Sequence, residues 1–151
     1  MSATLDPRLY ELVHSGISFS EMVAMNRFHF VSKKIPKGYS CGLGHKGRLV
    51  DTRLLHIDAD IGFTGVLPLI DSLGFRAGTV GELLLFGLRF PALQLEHPIV
   101  AFGSVIDIPD EHGNLHVPYL GGDHVGRDFD IRHLEQIWPA RYRFLVVEIG
   151  K

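Results

Sequence analysis

The most hydrophobic and most clearly punctuated stretch of the chain is GTVGELLLFGLRFPALQLEHPIVAFGSVID, from Gly78 to Asp107. Thr79 and Glu82 have the spacing of a capping box, in which each side chain bonds a backbone amide at the start of a helix. The apolar residues that follow predict a helix that ends before Pro91. The continuous apolar run from Ile99 to Phe102 predicts a buried strand. We therefore expect a capped helix and a core strand on which the rest of the chain packs.

Two short helices are predicted near the N-terminus. Asp6 followed by Pro7 is typical of a helix start, with a carboxylate at the N-cap and proline at the first helical position. Apolar residues then recur at helical spacing until Gly16, which would end the helix. Ser18 and Glu21 have capping-box spacing and predict a second short helix.

A strand is expected to begin near Phe30, and a longer one covers Leu49 to Ile57, LVDTRLLHI. Phe63 to Leu73 carries apolar residues at helical spacing, which predicts a helix. Pro68 must lie in the first turn of that helix or kink it. Gly74 follows and would supply the C-terminal stop.

The C-terminal third reads as strands joined by turns. Asp107 to Asn114 has turn composition, and Leu115 to Leu120 is the expected hairpin partner of the central strand. Tyr119 to Asp130 is rich in glycine and charge and predicts a connection between two strands. His133 to Trp138 suggests a helical turn, and Arg141 to Ile149 predicts a buried strand.

The order of these elements predicts the fold class. Helices come early and strands cluster late, without regular alternation of strand and helix, which favours α+β with a mainly antiparallel sheet. The chain has 151 residues and no segment with the composition of a linker, so we expect one globular domain.

Composition excludes several classes of protein. The formal net charge is −2, which argues against a nucleic-acid binder because phosphate binding needs a clustered cationic surface. The single cysteine, Cys41, excludes an intrachain disulfide and fits a reducing compartment. No signal peptide is recognisable, and no apolar run approaches the roughly 20 residues needed to span a bilayer. We expect a cytoplasmic protein that does not bind membranes.

The first candidate site is GGDHVGRD, from Gly121 to Asp128. Asp123 beside His124 is a candidate acid–base pair, since histidine titrates near neutral pH. Arg127 could hold a carboxylate or phosphate through two parallel hydrogen bonds, with Asp128 next to it. The alternative is a charged, glycine-rich connection without a ligand, because no catalytic motif matches.

Aromatic and arginine residues extend this candidate site into a groove. Tyr119, Trp138 and Arg141 are of the residue types that most often anchor interfaces. They suggest a surface for a small ligand, a protein partner or a second copy of the chain in a homodimer. For Trp138 the alternative is an aromatic side chain that closes the end of the core.

The sequence contains no intact metal, cofactor or nucleophile motif. The chain has nine histidines, but His112 and His116 are separated by turn residues, and neither HExxH nor CxxC occurs. We therefore expect no metal and no cofactor. Ser104 follows an apolar strand and Cys41 lies among basic residues, but neither has an assignable partner histidine. An ordinary thiol is the favoured interpretation of Cys41.

The segment from Lys33 to Arg48 has four glycines, one proline and several basic residues, and predicts a surface loop. Its glycine pattern is not that of a nucleotide phosphate loop. A weak anion site and a nucleic-acid accessory role are its functional alternatives.

The pattern of Leu73 to Val147 resembles a set of small uncharacterised bacterial proteins of the accessory or mobile-element kind. The resemblance rests on ELL-x-FG, FP and HPIVAFGS, then VPYL, a tryptophan and RFLVV. It implies a shared fold and no activity, so it assigns no site residue.

These observations favour a small cytoplasmic binding or interaction protein over an enzyme, because no catalytic motif is intact. The alternative is a small hydrolase or transferase that uses Asp123 and His124 as an acid–base pair. A nucleic-acid accessory protein is the third hypothesis.

Overall fold

A computed structural model describes residues 2–14, 16–36, 47–107 and 115–149 of the chain. Within these ranges it has four helices and ten strands. The helices are α1 (Phe19–Asn26), α2 (Phe63–Ser72), α3 (Val80–Arg89) and α4 (Leu93–Glu96). The strands are β1 (Ala3–Leu5), β2 (Tyr10–Val13), β3 (Phe30–Val31), β4 (Leu49–Ile57), β5 (Phe75–Ala77), β6 (Ile99–Val100), β7 (Ile106–Asp107), β8 (Leu115–Gly122), β9 (Arg127–His133) and β10 (Arg143–Glu148).

The strands of the described ranges belong to one sheet, with the main order β1-β4-β10-β6-β8-β9-β3. Pairing is parallel between β10 and β6 and between β3 and β9, and the other pairs are antiparallel. Short strands share the edges of long ones: β1 and β2 both pair with β4, and β5 and β6 both pair with β10. The predicted α+β fold with a mainly antiparallel sheet is confirmed.

Helices cover both faces of the central strands. Successive side chains of a strand point to opposite faces, so β10 contributes to two separate cores. Leu145 and Val147 pack in a cluster with apolar residues of α1 and α3. Phe144 and Val146 pack in a second cluster with residues of α2. Burial on both faces explains why this strand reads as a continuous apolar run in the sequence.

The predicted helix caps are present. Thr79 and Glu82 form both halves of the capping box at the start of α3. The Ser18 side chain accepts the backbone N–H of Glu21 at the start of α1. After α2, Gly74 has a φ of +85°, a left-handed conformation that favours glycine. Pro68 lies at the sixth position of α2 rather than in its first turn.

The predicted helix from Asp6 to Gly16 is wrong, because this segment forms a turn and then β2. The Asp6 side chain accepts the backbone N–H of Arg8 at 2.9 Å, a turn-forming bond that competes with helix initiation. Tyr10 and Leu12 are buried while their neighbours are exposed, which is the two-residue period of a strand.

The predicted connection from Tyr119 to Asp130 is also wrong in extent. Most of it belongs to the β8–β9 hairpin, and only residues 123–126 form the turn. The segment from His133 to Trp138 is not helical; His133 ends β9, and Trp138 makes a bridge with Ile61. These segments form strands despite their polar and glycine residues, because pairing with neighbouring strands outweighs local composition.

The central helix and strand are interior, as predicted. Leu84, Phe86, Ile99 and Val100 are each at most 1% exposed. The turn expected after Asp107, His112 and most of the loop around Cys41 lie outside the described residues. Among the helices described, none is long and apolar enough to cross a membrane.

Candidate functional site

A cleft of about 480 Å³ lies where α3 begins. We call it the α3 cleft, and its polar lining consists of His14, Arg48, Arg76, Thr79 and Glu82. These residues come from the end of β2, the start of β4, β5 and the first turn of α3. The cleft therefore collects two arginines, a histidine and a carboxylate from four separate elements.

Glu82 is the buried acid of the α3 cleft, with 1% of its side chain exposed. Its two carboxylate oxygens accept hydrogen bonds from Nη1 and Nη2 of Arg76, at 2.8 and 2.7 Å. The capping box adds the backbone N–H of Thr79 at 2.9 Å. A carboxylate with several donors stays ionised although it is buried. Glu82 therefore serves as a helix cap and as the anchor of Arg76.

The pKa of Glu82 follows from these contacts. Burial by itself raises the pKa of this carboxyl, but the hydrogen bonds from Arg76 and Thr79 and the charges of Arg76 and His14 outweigh burial. The net pKa is below the usual range for glutamic acid. For Arg76, the hydrogen bonds to Glu82 raise the pKa of the guanidinium, against the effect of burial. Both groups are charged at neutral pH.

His14 lies beside this ion pair. Its Nε2 atom is 3.5 Å from Oε2 of Glu82, and only 5% of the side chain is exposed. The backbone of His14 is held by two hydrogen bonds. Its N–H donates to the carbonyl oxygen of Arg48, and its carbonyl oxygen accepts the N–H of Gly47. Neither ring nitrogen has a hydrogen-bond partner among the described residues. Buried polar atoms are nearly always paired, so this imidazole has hydrogen-bonding capacity left for another molecule.

Arg48 supplies the accessible positive charge of the α3 cleft. Its side chain is exposed, and it makes no ion pair or hydrogen bond with the described side chains. Arg76 is balanced by Glu82, whereas Arg48 has no such counter-charge in the described ranges. The cleft is thus net positive when His14 is neutral, and more so when it is protonated.

The backbone wall of the α3 cleft depends on Gly103. A Cβ atom at this position would lie 2.5 Å from the carbonyl oxygen of Gly78 and 2.7 Å from that of Ala77. Next to it, the Ser104 hydroxyl accepts the backbone N–H of Val80 at 2.8 Å. Ser104, weighed from the sequence as a nucleophile, therefore caps α3.

Comparison with known proteins adds no relative. No protein-family model, curated protein or solved structure matches the chain. The resemblance to small bacterial proteins stays a prediction.

The predicted acid–base pair, Asp123 and His124, lies in the β8–β9 turn with both side chains exposed. The Asp123 side chain accepts the backbone N–H of Val125 at 2.8 Å, and this bond lowers the pKa of the carboxyl. Neither residue lines the α3 cleft or four other clefts formed by the described residues. The structure does not bring the two side chains together over a pocket.

Arg127, predicted to clamp a ligand, holds the fold together instead. Its guanidinium donates to the backbone oxygen of Asn26 at 2.6 Å, the Asn26 side chain at 2.9 Å, Gly87 O at 2.9 Å and Gln94 Oε1 at 3.0 Å. It also lies over the Phe28 ring, 4.8 Å from the ring centre. The acceptors are all neutral, so burial lowers the pKa of this arginine. Arg127 joins β9 to three helices.

The Tyr142 ring contacts three of the other predicted binding residues, Tyr119, Trp138 and Arg141. Tyr119 donates a hydrogen bond to Asp130 at 3.4 Å, and burial, followed by the charge of Asp130, raises the pKa of Tyr119 to about 12. Asp128 is partly buried, and burial raises the pKa of its carboxyl. Trp138 is fully buried against Phe102, and this is the core position weighed as its alternative. Arg141 is exposed on the Tyr142 ring.

The residues of the α3 cleft were missed from the sequence for identifiable reasons. Glu82 was interpreted only as a cap, and His14 stood in a segment assigned to a helix. Arg76 precedes the capping box, so its distance in sequence from Glu82 suggested no helical pair. A usable signal exists: a capping-box glutamate followed by a wholly apolar helix is bound to be buried, and a buried carboxylate needs a cation.

Proposed function

We propose that the protein is a small binding protein whose α3 cleft takes a compact anionic ligand, one that carries a carboxylate or a phosphate group. The sequence also favours a binding protein, but the site proposed here lies at the start of α3 rather than in the β8–β9 turn. The single cysteine is consistent with a cytoplasmic location, which is part of the same proposal.

The observation that carries the proposal is the state of His14. Its ring is 95% buried, lies 3.5 Å from Glu82 and has no hydrogen-bond partner among the described residues. Leaving a buried donor or acceptor unpaired costs about 1–3 kcal/mol. Both ring nitrogens are buried in this conformation, so a turn of the ring toward the α3 cleft would let a ligand oxygen supply the missing partner and recover this free energy.

The charges around His14 favour an anion. Glu82 accepts both nitrogens of Arg76 and has little capacity for a ligand cation. Arg48 stands at the exposed side of the cleft without an ion-pair partner in the described ranges. The first turn of α3 adds the positive end of a ten-residue helix dipole. An anion bound at Arg48 would therefore meet favourable charge from the guanidinium and from the start of α3.

Calorimetric titration with inorganic phosphate, acetate and succinate tests the proposal. We expect at least one of these probes to bind, and Arg48→Ala to weaken it by about tenfold, as for the loss of one charge-assisted hydrogen bond. Arg89→Ala is the matched control, because Arg89 is exposed at the opposite end of α3. Equal affinity of the Arg48 and Arg89 variants, or no binding of any probe by the wild type, would overturn the proposal.

A second candidate function is acid–base catalysis in the same cleft. The specific observation is the His14–Glu82 pair, since a carboxylate beside an imidazole can fix its tautomer and stabilise its protonated form. Hydrolysis of p-nitrophenyl acetate and p-nitrophenyl phosphate should then depend on pH and disappear in His14→Gln. Absence of turnover in the wild type, with anion binding intact, would leave the binding protein alone.

Homodimer formation stays a prediction from the sequence, as does the bacterial accessory-gene context. Light scattering of the purified protein measures the mass directly. A monomer mass at the concentration of the binding experiments would contradict the dimer.

A further inference from the structure

A second polar cleft, of about 340 Å³, lies on the sheet beside α4. We call it the α4 cleft, and its charged or titratable lining consists of Asp6, His56, Glu96, His97 and Arg143. It shares no lining residue with the α3 cleft. The α4 cleft is therefore separate from the α3 cleft, and a ligand could bind to either one alone.

Strand register places the residues of the α4 cleft side by side. His56 on β4 is directly opposite Arg143 on β10 and opposite Thr4 on β1. On its other side, Arg143 is paired with Ile99 of β6. Leu54, Leu93 and Ile99 give the cleft an apolar floor. The sheet thus holds a guanidinium and an imidazole on adjacent strands above an apolar surface.

Hydrogen bonds determine which ring nitrogens carry protons. Arg143 Nη2 lies 3.2 Å from Nε2 of His97, and a guanidinium can only donate, so this nitrogen accepts and His97 is neutral. Burial, followed by the charge of Arg143, lowers the pKa of His97 and has the same direction. His56 Nε2 lies 3.0 Å from the carbonyl oxygen of Ala140 and must donate to it. The neutral His97 ring cannot serve as a counter-ion for a ligand, and the Nε2 proton of His56 is already used by Ala140.

The α4 cleft has three charged side chains, Arg143, Glu96 and Asp6, and none of them makes an ion pair within 4 Å with a described residue. The bonds of Arg143 go to the neutral His97 ring and to backbone carbonyls, the shortest of them to Arg141 O at 3.2 Å. Glu96 is exposed at the end of α4 and makes no hydrogen bond or ion pair with another described residue. The bonds that Asp6 accepts come from neutral groups, the N–H of Arg8 and the hydroxyl of Tyr10, so they do not cancel its negative charge, which acts on Arg143. The cleft thus combines one guanidinium with two carboxylates, of which Asp6 is held by these bonds and Glu96 remains available to a ligand ammonium.

We propose that the α4 cleft binds a small zwitterion, a molecule with an ammonium and a carboxylate group on an apolar body, such as a free aliphatic amino acid. The carboxylate pairs with Arg143, the ammonium pairs with Glu96, and the apolar body lies on Leu54, Leu93 and Ile99. A plain anion would meet Glu96 and Asp6 as well as Arg143, and a plain cation would meet Arg143, so a ligand with both charges fits best.

Calorimetric titration with three matched probes tests this proposal. Leucine carries both charged groups, 4-methylpentanoate lacks the ammonium, and 3-methylbutylamine lacks the carboxylate. We expect leucine to bind at least about tenfold more tightly than either analogue, because each analogue leaves one protein charge unpaired. Equal binding of 4-methylpentanoate would identify a simple anion site, and no binding of leucine would remove the site.

Variants locate the leucine site in the α4 cleft. Glu96→Gln keeps the size of an exposed side chain and should weaken leucine by about tenfold, while Glu135→Gln, an exposed glutamate elsewhere, should not. Arg143→Lys keeps the charge but loses the planar fork, and should weaken leucine as well. All these titrations are made with Arg48→Ala in place, because the α3 cleft is proposed to bind carboxylates as well and would otherwise contribute to the heat. Unchanged affinity in Glu96→Gln would overturn the proposal.

Discussion

The Nε2 atom of His14 lies 3.5 Å from the Oε2 atom of Glu82. In the sequence the two residues are separated by several elements, among them α1, β4 and α2. Glu82 also receives both terminal nitrogens of Arg76. A histidine, an acid and an arginine are thus combined in the way that the sequence suggested for Asp123, His124 and Arg127, but at other positions. Through these contacts the start of α3 holds β2 and β5 together, and it is the leading candidate for a ligand-binding site.

Replacement of Glu82 by glutamine should destabilise the protein. The amide cannot accept both hydrogen bonds from Arg76, and it lacks the charge that faces this cation. We expect the free energy of unfolding to fall by about 2–4 kcal/mol in urea denaturation, the range for breaking a buried charged pair whose other member can reach water. Glu135→Gln, on the surface, should stay within about 0.5 kcal/mol of wild type. A Glu82→Gln variant as stable as the control would contradict the role of Glu82.

The contribution of Glu82 should depend on pH in the acid range. Its pKa is lowered in the folded protein, so folding favours the ionised carboxyl. The resulting stabilisation is complete above the unfolded pKa of about 4.3 and is lost as the pH falls through the folded value. The stability difference between wild type and Glu82→Gln should therefore shrink below about pH 4. A difference that grows below this pH would show that the carboxyl is not ionised in the fold.

Replacement of Arg127 should weaken the fold rather than a ligand site. Arg127→Met would leave the carbonyls of Asn26 and Gly87 and the Gln94 side chain without their donor, and should cost about 2–4 kcal/mol in urea denaturation. Arg127→Lys should also destabilise, because one ammonium cannot reach four acceptors in the geometry of a guanidinium. Arg89→Met is the surface control. Normal stability of Arg127→Met would mean that water replaces these bonds without loss.

Trp138 should behave as a fully protected fluorophore. It is the sole tryptophan of the chain, its side chain is buried, and its indole N–H donates to Leu134 O at 3.2 Å. We expect emission at short wavelength and weak quenching by acrylamide in the native protein, since the quencher must reach the ring. After unfolding in urea, acrylamide should quench Trp138 as strongly as it quenches the free model compound N-acetyltryptophanamide. Strong quenching of the native protein would show that Trp138 is exposed, as expected for the surface groove predicted from the sequence.

The elements predicted well are those with signals inside their own segment. β4 has the predicted limits, Leu49–Ile57, because a run of alternating and then continuous apolar residues marks a strand between two layers. α3 begins at its capping box, since Thr79 satisfies an amide only three residues away. The prediction for the β2 segment was wrong because its signal is not local. Asp6 and Pro7 suit a helix start and a turn equally, and the pairing of β2 with β4 decides between them.

The sequence by itself determined the caps of α1 and α3, the end of α2 at Gly74, the buried central strand and the α+β class. These features depend on interactions within a few residues or on the period of apolar side chains, which the order of residues contains. Only the tertiary structure decided that Arg127 is an internal clamp, that Trp138 is core, and that His14 and Arg76 meet at Glu82. Those contacts depend on strand register and on the packing of helices against both faces of the sheet, and hydrogen-bonding groups distant in sequence leave no local pattern that reveals their partners.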